Sequence, residues 1–342
     1  MKRFIVFLCI LAALFVVSCS GSNSHNEDSA IYAADSLTLE LGSPKAMYVS
    51  NGYLFLIDRN ATDGIIQVYD LKEKRYCFSF ANMGQGPEEY VSLNNLCFYE
   101  EDGESLVDIY DFNNKIVTYR LSSIFEEKES VKPLKIQSIS KSGMIVMNLH
   151  KFRGGYVTTG FYKDHKLALL DNTLNLMQYA GEYRQKPNSS ISDETHALAN
   201  YGYQFISSDL HYLADCVTAA PLITLYELTD NNASKKWDYV IGELDYEVKA
   251  EYVPVYKSTR GYVGVSFSKE RVYAIFSGDP ADSPDACGRE IHVFDIQTGE
   301  LVQKLLLDRK SSHIVVDEDN RQMYVETNFP EPVVLIYDLP KY

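Results

Sequence analysis

The 342-residue chain has no CxxC pair among its six cysteines, only one tryptophan, and no GxSxG, HExxH, Walker or EF-hand loop. Those gaps remove any motif-level sign of a serine hydrolase, a zinc peptidase, a nucleotide-binding loop or a calcium loop. Basic residues are also scarce, with 32 Lys and Arg against 47 Asp and Glu, a formal charge of −15. An acidic surface repels phosphate backbones, so nucleic acid is not an expected partner. Long apolar runs are missing except for Phe4 to Val17, which is too short to span a bilayer. Histidine is sparse and scattered: His25, His150, His165, His196, His211, His292 and His313 stand singly, none at metal-ligand spacing.

The one apolar run follows Lys2 and Arg3 and ends in Val16, Val17, Ser18, Cys19. Charge, apolar length and a small residue before cysteine follow the order of a secretory signal. The pattern resembles a bacterial lipoprotein signal, which implies cleavage before Cys19 and lipid on its sulfur. The mature chain would then hold 324 residues with a formal charge of −17, because Lys2 and Arg3 leave with the signal. The next stretch, SGSNSHNEDSAIYAADS, is small, polar and aperiodic. It reads as a tether able to reach about 55 Å when extended. The expected organisation is a signal at 1–18, a lipidated tether at 19–35 and one folded domain at 36–342. Cys77, Cys97, Cys216 and Cys287 remain; they allow three pairings, and their scatter along strand-like segments reads as small buried residues.

Gly64 to Leu71, GIIQVYDL, organises the rest. Related stretches end at Leu121, Leu174, Leu228, Ile296 and Leu339, and the positions matching Asp70 are Arg120, Asp171, Glu227, Asp295 and Asp338. Their spacing, 43 to 68 residues, is that of a four-stranded unit with loops. Each unit shows strand-length apolar or alternating runs between turn residues, with almost no helical period. Two segments break the pattern in the second unit, where SSIFEEKES reads as a helical turn and the fourth strand falls somewhere in 131–139. The sixth unit stops one strand short at Tyr342. Ser36 to Leu41, SLTLEL, belongs to no other unit and is the expected closing strand, which would remove an exposed edge. The predicted fold is all-β, a six-bladed propeller of four-stranded antiparallel blades closed by the N-terminal strand.

After the first fourth strand comes NMGQGPEEY, residues 82–90. This G-x-G-P-x-E-aromatic run resembles NHL-type propellers. With the lipoprotein signal and the length, the mature chain resembles the TolB-like six-bladed propeller lipoproteins of Bacteroidetes. Gly84, Gly86 and Pro87 are read as a structural corner, with both glycines supplying unusual backbone angles. The single Trp237 argues against the quinone-cofactor propellers, which repeat tryptophans, and no cofactor is expected. The 26 tyrosines are read mainly as filling between blades.

The functional expectation is a non-catalytic binding or scaffold module. It would be anchored in the cell envelope through Cys19, at the outer membrane, and present one face to a protein or glycan. The rival is an envelope hydrolase or lyase acting on glycan or peptide with carboxylates gathered at the axis; a third reading is a sensor partner of a transport system. Loops joining second to third strands, and fourth strands to the next blade, emerge on one side. The longest stretches, 84–94, 182–200, 245–260 and 278–289, fall in those classes. Tyr90, Arg184, His196, Tyr201, Tyr252, Tyr256, Arg260 and Arg289 on them are residue types enriched at binding hot spots. In GDPADSPDACGR, Asp279, Asp282 and Asp285 are the best cation candidates, set against a plain solvated turn.

Overall fold

The computed structural model describes residues 29–340 apart from 41–43, 59, 62, 140–143, 163, 185, 187–190, 245, 251–252, 257–258, 285 and 329–330. For 246–250 and 253–256 it describes the backbone alone. Two short strands come first, β1 (Ser29–Ile31) and β2 (Asp35–Thr38). Blade 1 is β3 (Pro44–Ser50), β4 (Tyr53–Asp58), β5 (Ile66–Asp70) and β6 (Arg75–Phe80). Blade 2 is β7 (Leu93–Glu101), β8 (Glu104–Asp111), β9 (Lys115–Arg120) and β10 (Lys135–Ser138). Blade 3 is β11 (Val146–Phe152), β12 (Gly155–Tyr162), β13 (His165–Leu170) and β14 (Leu176–Glu182). Blade 4 is β15 (Gly202–Ile206), β16 (Tyr212–Val217), β17 (Leu222–Thr229) and β18 (Asn232–Val240). A hairpin of β19 (Tyr246–Ala250) and β20 (Val253–Tyr256) precedes blade 5. That blade is β21 (Tyr262–Phe267), β22 (Arg271–Phe276), β23 (Gly288–Asp295) and β24 (Leu301–Ser311), and blade 6 contains β25 (His313–Asp317), β26 (Gln322–Thr327) and β27 (Val333–Asp338). Six antiparallel sheets of this kind make an all-β, six-bladed propeller.

Ring closure follows the sequence reading. β2 pairs antiparallel with β27, Leu37 facing Val334, and supplies blade 6 with its outer strand. Leu37 is buried among Leu54, Leu56, Tyr69 and Ile336, so the closing strand contributes core as well as hydrogen bonds. The tether, however, does not extend to residue 35. β1 adds to blade 5 as a fifth strand, parallel to β24, with Ser29 facing Leu305 and Ile31 facing Leu307. The N-terminal chain thus clasps two adjacent blades.

The recurrent acidic residue has a local cause. At the ends of β5 and β23, Asp70 and Asp295 accept hydrogen bonds from backbone N–H groups two and three residues on, at 2.9 to 3.0 Å. Asp171 accepts likewise from the N–H groups of Thr173 and Asn175, two and four residues on. A carboxylate bonding ahead in this way closes a tight turn. Arg120, which cannot, stands where the connection becomes α1 (Leu121–Glu127) followed by a 3-10 turn over Lys128–Ser130. The tightest hairpin, Asn51-Gly52, has φ of 51° and 78°, both positive as a two-residue turn of the primed class needs.

Packing lies between blades rather than within them. Phe55, Val68 and Phe78 of blade 1 meet Leu96, Val107 and Tyr119 of blade 2, and comparable clusters fill other seams. Tyr69, Tyr90, Tyr110, Tyr262, Tyr273, Tyr324 and Tyr337 are wholly buried, in line with tyrosine as filler between blades. None of the four cysteines is in a disulfide among the described residues, and Cys97 and Cys216 are buried. Burial pushes the Cys97 thiol up to about 12 and Cys216 well above its ordinary value, so neither is a ready nucleophile.

Candidate functional site

First strands line the axis, and each runs from the side carrying the inter-blade loops toward the side carrying tight hairpins. They enclose an axial channel of about 990 Å³ to which all six blades contribute. Its loop-side mouth is bordered by Phe112, Arg260, Ala286, Cys287, Lys310 and Asn328. Over blades 3 to 5 that side also carries α2 (Asp193–Ala199), which Ser192 caps by accepting from the Thr195 N–H at 3.1 Å and which lies against β20.

One wall of the channel is a continuous run of amides. Asn94 Nδ2 donates to Asn148 Oδ1 at 2.7 Å, Asn148 Nδ2 to Gln204 Oε1 at 2.6 Å, and Gln204 Nε2 to Asp215 Oδ1 at 2.7 Å. The run ends where Lys166 Nζ donates to Asp215 Oδ2, so it links blades 2, 3 and 4. Asn95 sits beside it, donating to the Leu149 carbonyl and lying 3.3 Å from His150 Nδ1. Burial lowers the His150 imidazole to about 4, which keeps it neutral at neutral pH. Satisfied networks of this kind hold their members in one geometry.

The opposite wall holds an arrangement that looks like a nucleophilic set. Ser312 Oγ and His313 Nδ1 both approach Glu326 Oε2, each at 2.9 Å, while His313 Nε2 bonds the Lys45 carbonyl at 2.7 Å. A general base needs one ring nitrogen on the nucleophile and the other on the carboxylate. Here the second nitrogen is engaged by β3 of blade 1. The set is therefore a stitch between the inner strands of blades 6 and 1, on the side of blade 6 away from the closing strand.

Residues singled out in the sequence divide sharply. Tyr201 and Arg260 line the channel. Tyr90 is fully buried, its hydroxyl 3.0 Å from that of Tyr119 and its ring under Lys115 Nζ, and is not open to a partner. His196 is buried, with Nε2 on the Arg184 carbonyl at 2.7 Å and its imidazole held low by desolvation. Arg184 reaches Asp238 on β18 at 3.3 Å, at the outer wall. Arg289 places Nε and Nη2 on the Leu307 carbonyl, a staple within blade 5. Tyr256 lies in β20, while Tyr252 and Cys19 lie outside the described residues. These positions share composition with hot spots, but burial or backbone anchoring engages most of them. Asn94, Asn95, Asn148 and Gln204 carry no signal in sequence, since amides in strands are unremarkable until the ring brings them together.

The 278–289 loop is built as a clamp. Asp279 pairs with Lys310 at 2.8 Å, and Arg260 Nη2 donates to the carbonyls of Ala281 and Ser283. Asp285 lies outside the described residues, Asp282 stays in the turn, and among the described residues no three acidic, His or Cys side chains converge as metal ligands. The 82–90 run is a corner, with Gly84 N–H donating to the Tyr90 carbonyl and Gly86 N–H to Glu89 Oε2. Neither glycine has positive φ, contrary to expectation. A Cβ at Gly84 would sit 1.9 Å from the Glu89 carboxylate, which would have to swing away to make room.

A family model described as "TolB-like 6-blade propeller-like" matches residues 22–319. No curated protein matches. Among solved structures, a putative exported protein of Bacteroides fragilis aligns over 92% of this chain and 99% of its own, with 9% identity and a TM-score of 0.58. The β-propeller domain of Cps50 (Swd1) from Myceliophteria thermophila aligns over 90% and 99%, with 10% identity and a TM-score of 0.53. At such identities the structural likenesses speak to fold alone.

Proposed function

The chain belongs to the TolB-like six-bladed propeller family, and we propose that it is a lipid-anchored, non-catalytic binding propeller of the cell envelope. Its ligand, a protein segment or glycan, enters the axial channel from the long-loop side. The observation that carries this reading is the channel itself. It is large enough for a small oligomeric ligand, and the amides of Asn94, Asn148 and Gln204 are already hydrogen bonded into one fixed wall. Fixed walls suit recognition; catalysis would need a nucleophile or base left available, and the Ser312, His313, Glu326 set is engaged.

Lipid at Cys19 would also set the orientation of the ring. β24 runs from the tight-turn side to the long-loop side, and β1 runs parallel to it. The chain before Ser29 therefore arrives from the tight-turn side. Residues 20–28 could span about 30 Å at most, comparable to the height of the ring. The channel mouth then faces away from the bilayer, open to a partner. No helix among the described residues is long and apolar enough to cross a membrane, so lipid on Cys19 is the anchor in this reading.

Incubating the purified protein with glycan and peptide pools, and following both retention and product formation, tests the proposal. Retention without products supports binding. Products that disappear in a Ser312→Ala, His313→Gln variant would establish the hydrolase or lyase reading instead.

A further inference from the structure

Acidic residues outnumber basic ones by 47 to 32 in the chain, yet the channel lining reverses that balance. Among the described residues it contains Lys45, Arg260 and Lys310 and not one aspartate or glutamate. These three belong to neighbouring blades and stand where the chain enters the first strands of blades 1, 5 and 6, at the loop-side mouth. Lys310 is neutralised by Asp279, and His313 is faced by Glu326. Lys45 Nζ donates to the Leu93 carbonyl at 2.6 Å.

Arg260 differs from the rest. Its side chain is over nine-tenths buried, its Nη2 donates only to backbone carbonyls, and its Nε is buried with no partner. A guanidinium is always charged, and a buried charge without a counter-ion is costly to maintain. Such a cost is offset when an anion arrives in a site of low dielectric, where the attraction is far stronger than in water. Among the described residues the lining offers no carboxylate to compete with it.

We propose that the mouth of the channel binds an oxyanion group, a carboxylate, phosphate or sulfate, carried on a small polar ligand, with Arg260 as its principal cationic partner. This rests on the reading of the channel as a binding site. The amide wall opposite contacts the neutral, hydroxyl-bearing part of the ligand, and the cationic side fixes its orientation.

The test is calorimetric titration with a galacturonate trisaccharide, the neutral galactose trisaccharide, inorganic phosphate and sulfate. The acidic trisaccharide is expected to bind at least about tenfold more tightly than the neutral one, with a preference that shrinks as salt rises. Arg260→Gln should remove the preference and Arg260→Lys retain part of it. Thermal melting checks that the 278–289 loop and ring remain folded. Lys45→Gln, on the rigid start of β3, gives a second reading if Arg260→Gln unfolds the loop, and it should lower the preference less. Competition by phosphate and sulfate would assign the site to oxyanions in general; competition by galacturonate alone would assign it to carboxylates. Equal binding of both trisaccharides overturns the anion assignment and leaves the channel a binding site. No binding of any of the four overturns both.

Discussion

Lys166 Nζ and Asp215 Oδ2 lie 2.7 Å apart in the seam between blades 3 and 4, with both side chains almost wholly buried. On the other side of blade 3, Lys151 Nζ sits over the rings of Tyr99 and Tyr156, and the Tyr156 hydroxyl donates to Asp108 at 2.7 Å. Blade 3 thus has a buried lysine on each flank, Lys151 donating to Asn172 Oδ1 at 2.6 Å and Lys166 to Asp215, and the Lys166 pair ends the amide run of the channel wall.

Removing one partner leaves the other charge stranded. Lys166→Met is expected to lower stability by about 3 to 5 kcal/mol, while Lys166→Met combined with Asp215→Leu should cost much less than the sum of the two single changes. Urea denaturation of the four proteins measures the cycle. Additive losses would mean that the pair contributes nothing beyond its separate contacts.

His150 makes the fold sensitive to acid. Its imidazole is lowered from 6.5 to about 4 by burial, so the folded protein binds that proton less readily than the unfolded chain. The stabilisation is complete above pH 6.5 and is lost as pH falls toward 4, by about 3 kcal/mol in all. Asp108, whose carboxyl is pushed up by burial, acts with the opposite sign. The measurement is therefore comparative: His150→Gln should lose less stability than the parent between pH 7 and 4.5. Parallel profiles would contradict the assignment.

The two N-terminal strands should weigh differently from the chain before them. Deleting 20–28 is expected to leave the melting temperature unchanged, because β1 and β2 both remain. Leu37→Ala, which empties part of the closing seam, should cost about 2 to 5 kcal/mol. Deleting 20–31, which also takes β1 from blade 5, should lower the melting temperature relative to deleting 20–28. Identical melts for the two deletions would show that β1 adds nothing.

Orientation on the membrane can be read directly. With lipidated protein on vesicles containing a headgroup quencher, a fluorophore placed at Asn51 on the tight-turn side should be quenched more than one at Asn328 beside the channel mouth. The reverse order would place the mouth against the bilayer. Failure of the protein to float with vesicles, and of Cys19→Ala to change its partition, would dismiss the anchor itself.

Much of the architecture was legible because propeller blades are local. Alternation, turn residues and the repeated C-strand motif are properties of neighbours in sequence, so GIIQVYDL and its relatives located six blades, and the missing last strand pointed to the segment around Leu37. Arg120 in place of an aspartate even marked where α1 replaces a tight turn. What the tertiary structure decided depends on which residues become neighbours only when the ring closes. β1, Ser29-Ala30-Ile31, is too short to show a period, and it is a strand because the edge of β24 offers hydrogen bonds there and Ile31 packs on the core beside it. Tyr90 belongs to a loop in sequence and to the core in space, because the corner at Gly84 folds it under Lys115. Asn94, Asn148 and Gln204, spaced by more than fifty residues, become one wall, and Arg260 becomes a buried cation with no carboxylate on it among the described residues, only once six inner strands share an axis. Periodicity records what a residue does for its own strand; long-range juxtaposition creates the site, and it has no local pattern to leave behind.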